Sequence, residues 1–407
     1  MRRFLFALSL FAALLMAGCT PRGEKKAKYV FFFIGDGMGF GHVSLAEAYL
    51  SQEKGEKGQD PLTFTGFPVL GMATTYSASN PITCSSAAGT ALATGSKTNN
   101  RMLGMDKDSL RLTSIAYKIH EAGYKVGVTS SVQVNHATPA AFYAHNVKRN
   151  NYYEIGKELP LTGFEFFGGG GLLHPEGKEK DLPSLYMDIE AAGYTVVRGA
   201  EAFRNAEKRD RMFLTQAENC DETLPFAYLR KEGDLSLAQV IEAAISVLDN
   251  DKGFFLMAEG GLIDYAAHSN NTLGTIKETL DFDQAIEVAY QFYLQHPDET
   301  LIVVTADHET GGVTLGSKKG YIFDLTIFDE VKANTTDVDT YTEGSEDYKA
   351  LSEEAHIGWT TTGHTGGAVP VWAVGAGSSL FAGRQDNTDI PRKICQAMGV
   401  PFETPAQ

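Results

Sequence analysis

Short apolar runs that recur along the chain constrain its fold more than any other feature. They cover residues 29–34, 125–132, 253–258, 301–305 and 369–374. Their length, their lack of strict alternation and their richness in Val, Ile and Phe suit strands buried on both faces. Between them lie stretches with helical spacing, at residues 109–122, 235–248 and 276–294. Asp234 is placed to cap the second, offering its carboxylate to the free amides of the first turn. Strand and helix alternating in this way imply an α/β fold, with a doubly wound, mostly parallel central sheet and helices on both faces. Such sheets bind ligands beyond the carboxyl ends of their strands.

Two segments break the rhythm. Residues 316–354 are polar, acidic and rich in Thr, Asp and Lys, and read as an inserted surface subregion. Phe166-Phe167-Gly168-Gly169-Gly170-Gly171 reads as an irregular loop whose glycines serve tight backbone packing, since no Lys-Ser/Thr follows as in a P-loop.

At 407 residues and 43% apolar composition, the chain can form one large domain with elaborated loops or two ordinary ones. A formal charge of −16 without any Lys/Arg cluster excludes a nucleic-acid-binding surface. An anionic substrate therefore needs a local positive device, such as metal ions or one Arg.

The first nineteen residues read as an export signal: Arg2 and Arg3, an apolar run from Phe4 to Met16, then Met16-Ala17-Gly18-Cys19. The pattern resembles a bacterial lipoprotein signal, with the mature chain starting at an acylated Cys19 and residues 20–28 as a polar tether. The alternatives are an ordinary cleaved signal or a membrane anchor, for which the run is short against the roughly 20 residues of a span. All imply export to the periplasm or cell envelope, and the first implies membrane association through lipid. The remaining Cys84, Cys220 and Cys395 are an odd number without disulfide or metal spacing, so at most one bridge can form.

Three of the apolar runs end in metal-binding residue types: Gly35-Asp36-Gly37, Glu259-Gly260-Gly261-Leu262-Ile263-Asp264, and Ala306-Asp307-His308-Glu309. One Asp after a strand is more often a helix cap than a ligand; three such ends together favour a metal site. His268 follows Asp264 by four residues, on the same face of a helical turn. His364 lies in a Gly-flanked loop. Mixed imidazole and carboxylate donors suit Zn²⁺, and oxygen donors alone suit Mg²⁺. Residues 83–95, dominated by small side chains, fit a close-packed helix with a hydroxyl at its positive start, although an N-cap Ser alone would explain the pattern.

These blocks, with His136-Ala137-Thr138-Pro139-Ala140-Ala141 and Arg149, run in the order found in alkaline phosphatases, which the chain resembles from about Tyr29 to its end. The resemblance implies a phosphate monoesterase with two Zn²⁺ and one Mg²⁺. It assigns one zinc to Asp264, His268 and His364, and the second to Asp36, Asp307 and His308. Asp36 would bridge to magnesium, completed by Thr138 and Glu259. Ser85 aligns with the nucleophile, since counting back from Gly95 selects it over Ser86, and Arg149 aligns with the phosphate clamp. The family often forms homodimers, though residues 316–354 do not look like a full dimer-capping insertion.

Three neighbours of these residues depart from many relatives: Cys84 and His136 stand where Asp is common, and Tyr265 where Lys or His is common. Each alters surroundings and leaves the direct ligands in place. Weaker support of Arg149 by Cys84, and a magnesium site poorly supplied with acceptors by His136, are the expected consequences. His42, His120, His145, His174, His296 and His356 lie outside the matched positions. The nearest competing readings are a phosphodiesterase, a nucleotide pyrophosphatase or a cofactor-independent phosphoglycerate mutase; Thr138 and Glu259 argue for a monoesterase. A sulfatase would need Cys or Ser followed by x-Pro-x-Arg, which residues 84–88 lack. A lipoprotein that binds phosphate or metal without turnover is the reading from a different class.

Overall fold

In a computed structural model, residues 26–207, 210–216, 223–328 and 346–402 are described. The export signal, Cys19, most of the tether, Cys220 and residues 329–345 fall outside them. The strands are β1 (Tyr29–Gly35), β2 (Val69–Thr74), β3 (Lys125–Ser130), β4 (Phe166–Gly169), β5 (Thr195–Arg198), β6 (Met212–Thr215), β7 (Phe254–Gly260) and β8 (Thr300–Thr305). Four two-residue strands follow: β9 (Glu309–Thr310), β10 (Thr314–Leu315), β11 (Ile357–Gly358) and β12 (His364–Thr365). The series ends with β13 (Val369–Gly375) and β14 (Gly383–Asp386).

Ten strands make one sheet in the order β14-β2-β13-β8-β1-β7-β3-β4-β6-β5. Only β13 runs against its neighbours, β2 and β8; the other pairs are parallel. Helices cover both faces, which is why the central strands are apolar without alternation. Phe31 packs on Phe254 and on Phe292 of the helix Thr272–Gln295, at ring distances of 5.2 and 5.5 Å. Its neighbour Phe32 packs on Phe142 at 6.1 Å from the opposite face. Phe32 is fully buried, and truncating such a side chain to Ala costs about 3–5 kcal/mol.

All five apolar runs are strands of this sheet, but three local expectations need correction. Residues 109–122 do not form one helix: Ser109 has a left-handed φ of 65°, and helix begins only at Ile115, capped by Ser114. Asp234 does not cap Leu237–Leu248; Ser236 does, in a capping box with Gln239, while Asp234 binds Gln216 and the Lys231 amide. The segment from Phe166 is not a loop, since its first four residues are β4. Its glycines do serve close packing, because a Cβ on Gly169 would meet Ser130 O at 2.3 Å. Within residues 316–354, Leu325 and Phe328 are buried in a satellite core with Leu45, Tyr49 and Ile276. Among the described residues no helix is long and apolar enough to cross a membrane.

Candidate active site

The parallel register aligns Ile34 of β1 with Glu259 of β7 and with Thr305 of β8, so the segments leaving these strands converge. His308 Nε2 lies 3.3 Å from both Asp36 Oδ1 and Asp307 Oδ2. Asp264, His308 and His364 form an overlapping group, with donor atoms within 4.8 Å of one another. His268 Nε2 joins it at 3.2 Å from Asp264 Oδ2, across one turn of the helix Leu262–His268. The two groups abut through His308 and His364, whose rings stack with centroids 3.6 Å apart. Gly37, at φ +73°, allows this approach: a Cβ there would lie 2.8 Å from Asp264 Oδ1.

A third group adjoins the second. Thr138 Oγ1 is 3.5 Å from Asp36 Oδ2 and 3.4 Å from Asp307 Oδ2. The two oxygens of Asp36 thus face different neighbours, as a bridging carboxylate requires. Glu259 is fully buried; Oε2 accepts from Ser130 Oγ, and Oε1 has no hydrogen-bond partner.

Backbone carbonyls fix two of the imidazoles. His268 Nδ1 bonds Thr362 O at 2.5 Å, and His364 Nδ1 bonds Thr83 O at 2.9 Å. A carbonyl only accepts, so both Nδ1 atoms carry the proton and both Nε2 lone pairs face the cluster. His308 Nδ1 is 3.2 Å from Thr310 Oγ1, whose hydroxyl donates to Asp264 Oδ1 at 2.6 Å. Sequence reasoning missed Thr310 and Ser130; the only linear hints are their places just beyond His308 and at the end of β3.

Ser85 opens the helix Ser85–Thr94, with Cys84 extended at the N-cap position. All ten residues are buried, and small side chains let this helix approach the turn Ala137–Ala140, where a Cβ on Gly89 would come within 3.1 Å of Thr138 Cα. Ser85 Oγ lies 3.2 Å from His308 Nε2 and 3.4 Å from Arg149 Nη1. Ser86 Oγ instead meets Cys84 Sγ at 3.2 Å. The Cys84 thiol accepts from Arg101 N at 3.1 Å and makes no hydrogen bond to Arg149. His136 meets the guanidinium instead, and Tyr265 stands edge-on to the His136 ring at 6.0 Å. None of the other six histidines enters either metal-type group among the described residues.

The alkaline phosphatase family model matches residues 27–163 and 172–400. The chain belongs to the alkaline phosphatase family. It is 32% identical to alkaline phosphatase 4 of Bacillus subtilis, over 94% of this chain and 93% of the relative. The fold is similar to that of the cold-active alkaline phosphatase of a psychrophilic Shewanella, with TM-score 0.80, 30% identity, and 91% and 99% of the two chains covered. It is also similar to a histidine-to-glutamate variant of the phosphatase from the Antarctic bacterium TAB5, solved with magnesium in its M3 site, with TM-score 0.76, 30% identity, and 93% and 99% covered. The chain is therefore a phosphatase enzyme, a hydrolase of a metal-dependent family.

Electrostatics of this phosphatase fit bound cations. Burial, reinforced by neighbouring carboxylates, pushes Asp36 well above the usual carboxylate range. The same causes push Asp307 up to about 8, and burial pushes Glu259 up to about 7. Burial also pushes Asp264 upward, but the three imidazoles around it outweigh burial and hold this carboxyl below its usual range. Burial drives His308 far below its ordinary value and lowers His364 as well. Clustered buried acids facing imidazole lone pairs are costly alone and become favourable around divalent ions.

Proposed function

We propose that this chain hydrolyses phosphate monoesters through a covalent phosphoserine on Ser85. Asp264, His268 and His364 would hold one zinc, and Asp36, Asp307 and His308 a second. Asp36, Thr138 and Glu259 would hold one magnesium; the oxygen-only donor set and the magnesium bound in the M3 site of the TAB5 variant support this. When bound, these ions supply positive charge at the attacking and leaving oxygens.

One observation carries the reading: Ser85 Oγ sits between the ligand cluster and Arg149, at 3.2 Å from His308 Nε2 and 3.4 Å from Arg149 Nη1. Arg149 grips two phosphate oxygens with its planar fork. Ser85 Oγ, losing its proton, bonds to phosphorus as the ester P–O bond breaks and the alcohol leaves. Water then cleaves the phosphoserine, restoring the hydroxyl and releasing inorganic phosphate. Phosphopeptide mapping after acid quench, with metal analysis of the same preparation, tests both parts.

Rates on a monoester, a diester and a sulfate ester of one phenol separate this reading from a diesterase or sulfatase. Stoichiometric zinc without phosphate release would leave a non-catalytic binder. Export with acylation of Cys19 is part of the proposal and rests on the sequence pattern alone; mass spectrometry of the mature N-terminus tests it.

A further inference from the structure

Beside His364, one of the residues proposed to hold a zinc, lies a cleft that the reaction above does not use. Its volume is about 650 Å³, and residues 74–81 line it with Gly366 and Ala368. We infer that this cleft receives the alcohol portion of the ester and selects a flat, aromatic one, an inference that rests on the proposed phosphomonoesterase function.

Continuity with the site comes first. His364 is held by the Thr83 carbonyl, Ile82 immediately precedes Thr83, and a Cβ on Gly366 would lie 3.9 Å from Ile82 Cγ1. The wall of the cleft therefore starts at residues adjoining His364. Asn100 then locks that wall to the nucleophile. Its Nδ2 donates to Ile82 O at 3.0 Å, its Oδ1 accepts from Cys84 N at 3.1 Å, and its amide donates to Ser79 Oγ at 2.9 Å. Cleft and helix start form one hydrogen-bonded unit, so a group seated in the cleft keeps a fixed register to Ser85.

Chemistry of the lining selects the ligand. No lining residue carries a charge, so a second phosphate gains nothing there. Two serines and Asn80 bond among themselves: Ser77 Oγ donates to Asn80 O, Asn80 N donates to Ser77 Oγ, and Ser79 Oγ donates to Asn80 Oδ1. Apolar surface remains, from the Tyr76 ring at 51% exposure, Pro81, Ala368 and, at the edge, Ile82 at 44%. The Lys97 ammonium, 4.0 Å from the Tyr76 ring centre and paired with Asp386 at 3.0 Å, steadies that ring. Covering this surface with an aromatic group removes it from water while the phosphate is clamped.

The test compares phenyl phosphate with glycerol phosphate on the metal-replete enzyme and on Tyr76→Ala and Ile82→Ala, both at exposed positions. The double variant should lose about tenfold in kcat/KM on phenyl phosphate, the low end of apolar discrimination because the cleft is open. On glycerol phosphate it should stay within about twofold of wild type, as should competitive inhibition by inorganic phosphate, which has no alcohol portion. Equal losses on both esters, or no loss on phenyl phosphate, would overturn the inference. A wild-type enzyme that releases phosphate from neither ester would remove the proposed function and the inference with it.

Discussion

Arg149 Nη2 lies 3.1 Å from His136 Nε2. A guanidinium only donates, so Nε2 accepts and the His136 proton sits on Nδ1, which is buried without a partner. Burial first, and then the Arg149 charge, lower this imidazole to about 3, so it is neutral wherever the enzyme works. The bracing of the proposed phosphate clamp that Cys84 does not provide comes from a histidine.

Arg149→Ala should therefore weaken phosphate inhibition and lower kcat/KM by about 10–100-fold, the worth of a charged hydrogen-bonding group. His136→Ala should lose less. Because the imidazole acts through the guanidinium, the double variant should be no worse than Arg149→Ala. Additive losses in this cycle would place His136 in a separate role.

Ser85→Ala should lower kcat by at least about 10³-fold with bound metal unchanged, since the nucleophile and the metals contribute separately. Ser86→Ala should cost only the contact with Cys84, on the order of 1 kcal/mol of stability. Phosphate recovered on a Ser86 peptide after acid quench would refute the assignment.

How far the sequence foretold this arrangement depends on the range of the forces involved. The runs that became β1, β3, β7, β8 and β13 were legible because burial on both faces leaves a continuous apolar signature. β2, with Leu70 and Met72 exposed, lacks it, and so does β4, whose Gly169 answers to the backbone of Ser130. The Ser236 cap is marked by Gln239 three residues on, whereas Asp234 lies two residues too early to reach the first turn. Ligand residues were legible as a pattern of motifs. Their braces were not: Ser130 reaches Glu259 across 129 positions, and Thr310 reaches Asp264 across 46. Local composition carries no trace of such pairings.

Thr310 joins His308 to Asp264, one residue from each proposed zinc group. Thr310→Val keeps the shape and removes both hydrogen bonds, so zinc affinity should fall about 10–100-fold, the usual cost of losing a group that orients a ligand. Thr310→Ser should restore most of it. Competition with a graded series of chelators measures both.

Metal removal should expose the buried acids. Asp307 is raised to about 8 and Glu259 to about 7, against unfolded values of about 4. Groups raised in the folded state stabilise it below their unfolded pKa, and that stability is lost as pH rises through the folded value. His308 and His364 are lowered, so their contribution is fully present above about 6.5 and adds no slope there. Between pH 6.5 and 8.5 the metal-free protein should lose about 1–2 kcal/mol per raised carboxyl, seen as a falling Tm. Zinc and magnesium should remove the part due to Asp307 and Glu259 and leave that of Glu278, which burial raises to about 8 outside the ligand groups. A metal-free Tm that rises over this range would contradict the assignment.

Magnesium retention is the property most open to change by one substitution. A hard cation keeps several waters, which need acceptors around them. His136 has one lone pair, and that lone pair faces Arg149, so the imidazole offers those waters none. The proposed ligands Asp36, Thr138 and Glu259 would hold the ion with little help, and magnesium should leave on dialysis and reactivate the enzyme when restored. The neutral state of His136 removes it as a source of pH dependence. That dependence falls instead to Glu259, which must lose a proton that burial favours, so affinity should climb with pH and then level off. His136→Asp adds charge and acceptors and should raise affinity by about tenfold once the climb has levelled off. Magnesium titrations at pH 6, 7, 8 and 9, with both zinc sites filled, read the two effects separately. Equal affinity in the two proteins would show that position 136 does not reach the ion, and a flat pH profile would show that Glu259 does not bind it.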